Sequence, residues 1–399
     1  MSLAQGRTIL SIPGPSVMPD RVLNAMHQAA PNIYAGPQVE MMPGLIADLK
    51  AVARCSQHVT IYVGNGHAGW EAVNSNVFRP GDKALSLITG HFGLGWAEHA
   101  RKLGIGVETI DFGNAAPVDP AQVEAALRAD PAHAIRAVLL THVETSNSAL
   151  NDVAAVRRAI DAAGHPALLM VDCIASMGCD RFEFDAWGVD VAVAASQKGL
   201  MVPPGLAFVW ISNKAMEATE GENPLRSPYW DWRLRSRAEL LWQYFFGTPP
   251  THLLWGLREA LTMIVQEEGL DHVWYRHDRI ARAVWAAVEA WGAGNPGIRL
   301  NMTDPEARAR AVTGVRIEGR ATELRAWMEE NTGVTLGIGL VRSDDPAEAD
   351  SNLRIGHMGH VNAHMILGTL GAMEAGLIAL GIPHGPGGLS AAARVIAGK

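Results

Sequence analysis

Cysteine is scarce in this chain, with three in 399 residues (Cys55, Cys173, Cys179). Three is an odd number, and no pair has metal-ligand spacing, so neither a disulfide framework nor a cysteine metal site is expected. A reducing compartment such as the cytoplasm suits that usage. Basic residues are the minority, 33 against 41 acidic, for a formal net charge of −8. A basic footprint for nucleic acid or an anionic membrane is therefore missing. Uninterrupted apolar runs never approach the roughly 20 residues a membrane helix needs. The opening residues, MSLAQGRTILSIPGP, lack the basic segment and apolar core of a secretory leader. Internal repeats and low-complexity tracts are absent. What remains is ordinary globular composition, 48% hydrophobic and 19% charged, long enough for a large core and two domains. Small-molecule chemistry is the expectation.

From about residue 55 to 215, short apolar runs alternate with amphipathic segments. The runs 59–63, 83–88, 106–111, 137–143, 167–172, 190–196 and 206–212 read as buried strands. Helical patterns at 68–78, 96–104, 121–130 and 152–164 lie between them. Such alternation predicts an α/β fold with a doubly wound, mostly parallel sheet, which places ligands at the carboxyl ends of its strands. Residues 213–255 break the rhythm. A long helical pattern, 252–269 and then 270–291, leads to a strand, a helix and a strand near 309–319, 323–333 and 351–360. A last amphipathic helix, 363–381, closes the chain. The expected organisation is an N-terminal arm (1–20), a large domain (21–270) and a smaller C-terminal α+β domain (271–399).

The chemistry-bearing residues sit where these strands end. DVAVAA stops at Ser196-Gln197-Lys198, and a Pro-Pro-Gly turn follows. A lysine amine there is desolvated, and burial lowers its pKa, which favours attack on a carbonyl. Asp172 ends ALLMVD, and a buried carboxylate needs a cation opposite it; capping the next loop is the plainer role. A pyridine nitrogen is such a cation, so the pair Asp172 and Lys198 points to pyridoxal 5'-phosphate (PLP). Gly64-Asn65-Gly66-His67 joins a strand to a helix and offers N–H groups to a phosphate; a tight βα turn is the alternative. Phe92 stands either over the ring or in the core. Glu144 and Thr145 end another strand, as a helix cap or as cofactor ligands. Arg354, between Leu353 and Ile355, is expected to be partly buried and to grip a substrate carboxylate or close an internal ion pair. His357 and His360 lack a third ligand, and no metal is assigned to them. SPYWDWRLR (227–235) reads as a loop over an active site or a subunit contact.

Taken in order, IPGPSVMPD, GNGHAGWEAV, THVETSN, VDCIAS, ASQKGLMVPPG, YWDW, GTPP and LRIGHMGH resemble class V aminotransferases of fold type I, nearest the serine–glyoxylate and alanine–glyoxylate branch. The resemblance runs through nearly the whole chain. It implies a transaminase that moves an amino group from a small amino acid to glyoxylate or another small 2-oxo acid by a ping-pong route. It assigns Lys198 to the covalent link with PLP, Asp172 to the pyridine nitrogen, Ile174 beneath the ring and Phe92 above it. Gly66, His67 and Gln197 would hold the phosphate, Thr145 would face the ring oxygen, and Arg354 would bind the substrate carboxylate. Thr248, in GTPP, would reach the phosphate of a second subunit, implying a homodimer with active sites at the interface. Two positions depart from the pattern. Phe245 stands where the family often has tyrosine, with Tyr244 one place away, and the loop around Tyr34 replaces a His-Arg pair that reaches substrate. RIGHMG and the two phenylalanines Phe245 and Phe246 are also similar to pyridoxamine–pyruvate aminotransferase, which lacks the Gly-His and Ser-Gln motifs present here as Gly66-His67 and Ser196-Gln197; a vitamer transaminase stays the alternative, as do a class V lyase and a non-catalytic binding protein on this scaffold.

Overall fold

The computed structural model describes residues 2–399. Its first strand, β1 (Ile9–Ser11), belongs to a sheet completed only at the far end of the chain. The next strands build the larger sheet: β2 (His58–Gly64), β3 (Lys83–Ile88), β4 (Gly106–Asp111) and β5 (Ile135–Thr141). A two-stranded hairpin, β6 (Val143–Glu144) and β7 (Ala149–Leu150), follows, and then β8 (Leu168–Asp172), β9 (Val191–Ala195) and β10 (Gly205–Ile211). The larger sheet has the order β2-β10-β9-β8-β5-β3-β4. Neighbours from β9 to β4 are parallel, and β10 is antiparallel to both β9 and β2. As a result β2, β3, β5, β8 and β9 all end at the same edge.

Both side-chain parities of the central strands β5, β8 and β9 are apolar, so both faces of the sheet are buried there, while the edge strand β4 is largely exposed. Leu169 and Val171 of β8 join one core with Leu87 and Leu140, while Leu168 and Met170 join another with Ala84 and Leu139. Each such buried side chain contributes roughly 1.5–3 kcal/mol. Four of the covering helices are capped by the residue just before them. Asn65, Asp119, Asp152 and Ser212 each accept a backbone N–H at the start of the helix that follows.

The second sheet adds β11 (Ile298–Leu300), β12 (Val312–Ile317), β13 (Val334–Ile338) and β14 (Asn352–Gly356) in the order β1-β13-β14-β12-β11. Helices Leu270–Gly292, Ala321–Thr332, Ala363–Ala379 and Gly388–Ile396 contribute to its core, among them Trp291, Leu324, Leu370 and Ala392. The Leu270–Gly292 helix serves both units, since Val273 packs into the first core and Val284 into the second.

Several elements depart from the sequence reading. The Ala363–Ala379 helix does not close the chain; a turn with Gly381 and Gly387 at positive φ leads to the Gly388–Ile396 helix. Strand β13 escaped notice because Gly337 interrupts its apolar run and Gly339 follows it directly, at places where a Cβ would strike Pro13 or Asn352. Strand β1 is three residues long and pairs in parallel with β13, so residues 9–11, read as part of an arm, form a sheet edge. The 227–235 segment, read as a loop, runs into a short helix (Trp232–Ser236) and is anchored in the fold. Trp232 is fully buried, and the Arg235 guanidinium lies over Tyr62 and Tyr229 while donating to the carbonyls of Ile61, Tyr229 and Tyr244.

Candidate active site

Asp172 and Lys198 border the same cavity, about 270 Å³ in volume, at the carboxyl edge of the larger sheet. Asp172 ends β8 and is 4% exposed. Its Oδ1 accepts the Ile174 N–H at 2.7 Å, and its Oδ2 accepts the Trp70 indole N–H at 3.0 Å. Burial pushes its pKa up to about 7, against the pull of those two donors. Lys198 follows β9 by three residues, and its Nζ donates to the carbonyl of Pro13. Burial, and then the charge of Arg354, bring its pKa down to about 8.

The N-terminal segment fixes this lysine from outside the sheet. Ser16 donates from Oγ to the Lys198 carbonyl at 2.7 Å and from its N–H to the Gln197 carbonyl at 2.8 Å. Gly14 has φ +103°, and a Cβ there would stand 2.5 Å from Nζ. Only glycine leaves the amine its place.

At the other end of the cavity, β2 turns into the Gly66–Val77 helix. Asn65 Oδ1 accepts the N–H groups of His67 and Ala68, and Gly66 lies so close to Ile174 that a Cβ would meet Cδ1 at 2.4 Å. Two buried side-chain oxygens on this wall have no partner, Gln197 Oε1 and Thr141 Oγ1. Phe92 and Thr145 also border the space. Phe92 is placed by Glu144, whose fully buried carboxylate accepts the N–H groups of Phe92, Gly93 and Ser146. Glu144 thereby caps the His91–Lys102 helix across the sheet edge.

Arg354, on β14, is 7% exposed and holds the second sheet to the site. Its Nε donates to the Ile338 carbonyl at 2.7 Å and its Nη1 to that of Thr145 at 3.2 Å. Burial lowers its pKa to about 10, opposed by nearby Glu144. Among the described residues it has neutral carbonyl partners and no carboxylate, which leaves a buried cation ready for an anion.

The family description Aminotransferase class-V matches residues 10–341. The chain belongs to the class V aminotransferases. It is 36% identical to a serine–glyoxylate aminotransferase of Methylorubrum extorquens over 97% of this chain and 95% of that protein. It is 37% identical to an L-aspartate–glyoxylate aminotransferase of Paracoccus denitrificans, over 93% and 91% of the two chains. The crystal structure of ureidoglycine–glyoxylate aminotransferase from Bacillus subtilis superposes with a TM-score of 0.85, covering both chains fully at 26% identity.

In this aminotransferase, Gly66, His67, Phe92, Thr145, Asp172, Ile174, Gln197 and Lys198 gather on one cavity. Arg354 reaches it through the carbonyl of Thr145. Tyr34 is 80% exposed and Thr248 is also exposed, and neither borders the cavity. Phe245 is buried in the first core. The cysteines are all buried, and burial raises Cys55 to about 11 and Cys179 to about 12, so neither offers a thiolate nucleophile. His357 belongs to the core, bonded to the Arg310 carbonyl and Thr313 Oγ1. Sequence reasoning missed Trp70 and Gly14. The segments holding them were noticed, GWEAV and IPGPS, but their contacts cross long stretches of chain.

Proposed function

We propose that this aminotransferase uses PLP to move the amino group of a small amino acid onto glyoxylate or another small 2-oxo acid, in a ping-pong sequence. The observation that carries this reading is the shared cavity of Asp172 and Lys198, a buried acid and a buried base whose pKa values burial has brought close together. The residues present fit the cofactor. Among the described residues, Gln197 and Thr141 have side-chain oxygens without partners on the cavity wall, and Asp172 is a buried carboxylate without a salt-bridge partner. A side-chain amide presents a donor or an acceptor by turning over.

When bound, PLP supplies a protonated pyridine ring that draws electrons from the bonds at the substrate Cα. Asp172 would keep the ring nitrogen protonated, and Ile174 and Phe92, which border the same cavity, would pack against the ring. Gly66, His67 and Gln197 would hold the phosphate, and Thr145 would face the ring oxygen. Lys198, with a pKa near 8, has a usable fraction of free amine near neutral pH, and takes the proton from the amino acid's Cα. Arg354 grips the carboxylate common to amino donor and oxo acceptor, so both half-reactions use one orientation. The names of the two glyoxylate-using relatives support glyoxylate as acceptor.

Thr248 and Tyr34 lie outside the chain's own cavity, and we assign both to the site of a second subunit in a cytoplasmic homodimer, Thr248 at the phosphate and Tyr34 at the substrate. Residues 21–270 form the cofactor-binding unit and 271–399 the smaller one, whose sheet takes its edge strand from residues 9–11 of the N-terminal arm. The test is Lys198→Ala assayed with a panel of amino donors against glyoxylate and pyruvate. Wild type transfers amino groups and the variant loses turnover by several orders of magnitude; full turnover in the variant refutes the mechanism. Wild-type activity on pyridoxamine and pyruvate alone would instead favour a vitamer transaminase.

A further inference from the structure

Trp70 lies one turn inside the Gly66–Val77 helix and is 2% exposed. A buried tryptophan at that helical position is ordinarily core. Here its indole N–H ends on the side chain of Asp172, 102 residues away, at 3.0 Å. The ring itself is held. Trp96 stacks against it at 6.1 Å between centroids and 9° between planes, and His67 meets it edge-on at 4.7 Å. Trp96 is fixed in turn by its own N–H bond to the fully buried Asn74 at 3.1 Å. The donor facing Asp172 is therefore set by packing.

Burial alone favours the neutral acid at Asp172, and a neutral acid cannot serve as the anionic partner of a protonated ring nitrogen. Two N–H groups oppose burial, one on each carboxylate oxygen. That of Ile174 belongs to the backbone, so among the described residues Trp70 supplies the one side-chain hydrogen bond to Asp172. The same indole touches His67, so one wall supports both the phosphate end and the ring-nitrogen end of the site.

We propose that Trp70 is a positioning residue for transamination: its indole N–H holds Asp172 as a carboxylate at a fixed angle to the cavity. The inference rests on the PLP reading above. A hydrogen bond to a charged group is worth enough that its loss weakens an equilibrium roughly 10- to 100-fold.

The test compares Trp70→Phe, Asp172→Asn and the double variant, all as full-length protein. The readouts are the PLP dissociation constant, followed by visible absorbance, the pH dependence of that absorbance, and kcat. Trp70→Phe is expected to weaken PLP binding and lower kcat at least roughly 10-fold, and to shift the absorbance titration. On the Asp172→Asn background the same change is expected to do little, since a residue acting through Asp172 has nothing left to act on. Equal losses in both backgrounds, or an unchanged Trp70→Phe enzyme, overturn the proposal. Should Trp70→Phe fail to melt cooperatively, 3-benzothienylalanine at position 70 keeps the indole's shape without its N–H, and the same outcomes decide. Wild-type protein that binds no PLP refutes the cofactor reading and this inference with it. Wild-type binding matched by the variants refutes only the role of Trp70.

Discussion

Gly14→Ala is the sharpest test of how the lysine is held. The new methyl carbon would sit 2.5 Å from Lys198 Nζ and 2.6 Å from both Cδ and Cε. Ordinary contact needs about 3.5 Å, so the end of the lysine must retreat by about 1 Å. Because three consecutive atoms are crowded at once, rotating the amine alone gives no relief. The displaced atoms are the flexible end of a side chain, so the clash itself costs the fold little. The backbone adds strain, since φ +103° at residue 14 costs a non-glycine residue of order 1–3 kcal/mol. A 1 Å misplacement of a reacting group costs on the order of 100-fold in rate. Steady-state transamination with the best donor and glyoxylate should therefore show kcat/KM reduced by about two orders of magnitude in a protein that still melts cooperatively. Activity within about threefold of wild type would show that the Pro13–Ser16 segment does not confine the amine, and would refute the reasoning.

Two further outcomes follow from the buried cations. Lys198 has a folded pKa of about 8 against an ordinary 10.5, so its charge costs stability fully below pH 8, and the cost fades as pH rises toward 10.5. Without added cofactor, Lys198→Met should be the more stable protein at pH 7, by roughly 3 kcal/mol at most, and thermal melts should show the gap closing between pH 8 and 10.5; a gap constant with pH would contradict the shift. Arg354→Lys keeps the charge but loses the planar fork, so KM for amino acid and oxo acid should rise together, about 10-fold or more, with a smaller change in kcat; a rise for one substrate alone would deny a shared carboxylate site.

The larger sheet was legible because its strands are short, the central ones are apolar on both faces, and helices separate them. The 83–88 and 106–111 strands fall where the pattern put them. Lys198 and Asp172 were legible for a related reason: a strand's carboxyl end exposes its last polar residue at a predictable edge. The second sheet was read only in part. Its glycines at 337 and 339 mark close approach of other chain segments, and in a single strand such residues look like interruptions. The Trp70 indole was hidden for a different reason. Nothing in the spacing of GWEAV says that the tryptophan meets a carboxylate 102 residues later, and a tryptophan on a helix reads as packing. Glu144 was narrowed to a cap or a ligand, and only the fold shows which helix it caps, because that helix begins 53 residues earlier.

The opening residues of the chain form a tether with two fixed ends. Ile9–Ser11 are hydrogen-bonded into the edge of the second sheet, Ile12 and Pro13 pass against Gly356 and Gly337, and Ser16 is fastened to the residue that bears the amine. Four residues lie between Ser11 and Ser16, and the five steps from one to the other span at most about 18 Å even when fully drawn out. Any excursion of the second sheet away from the first is thus limited by this short leash, and whatever slack it contains is felt first at Lys198.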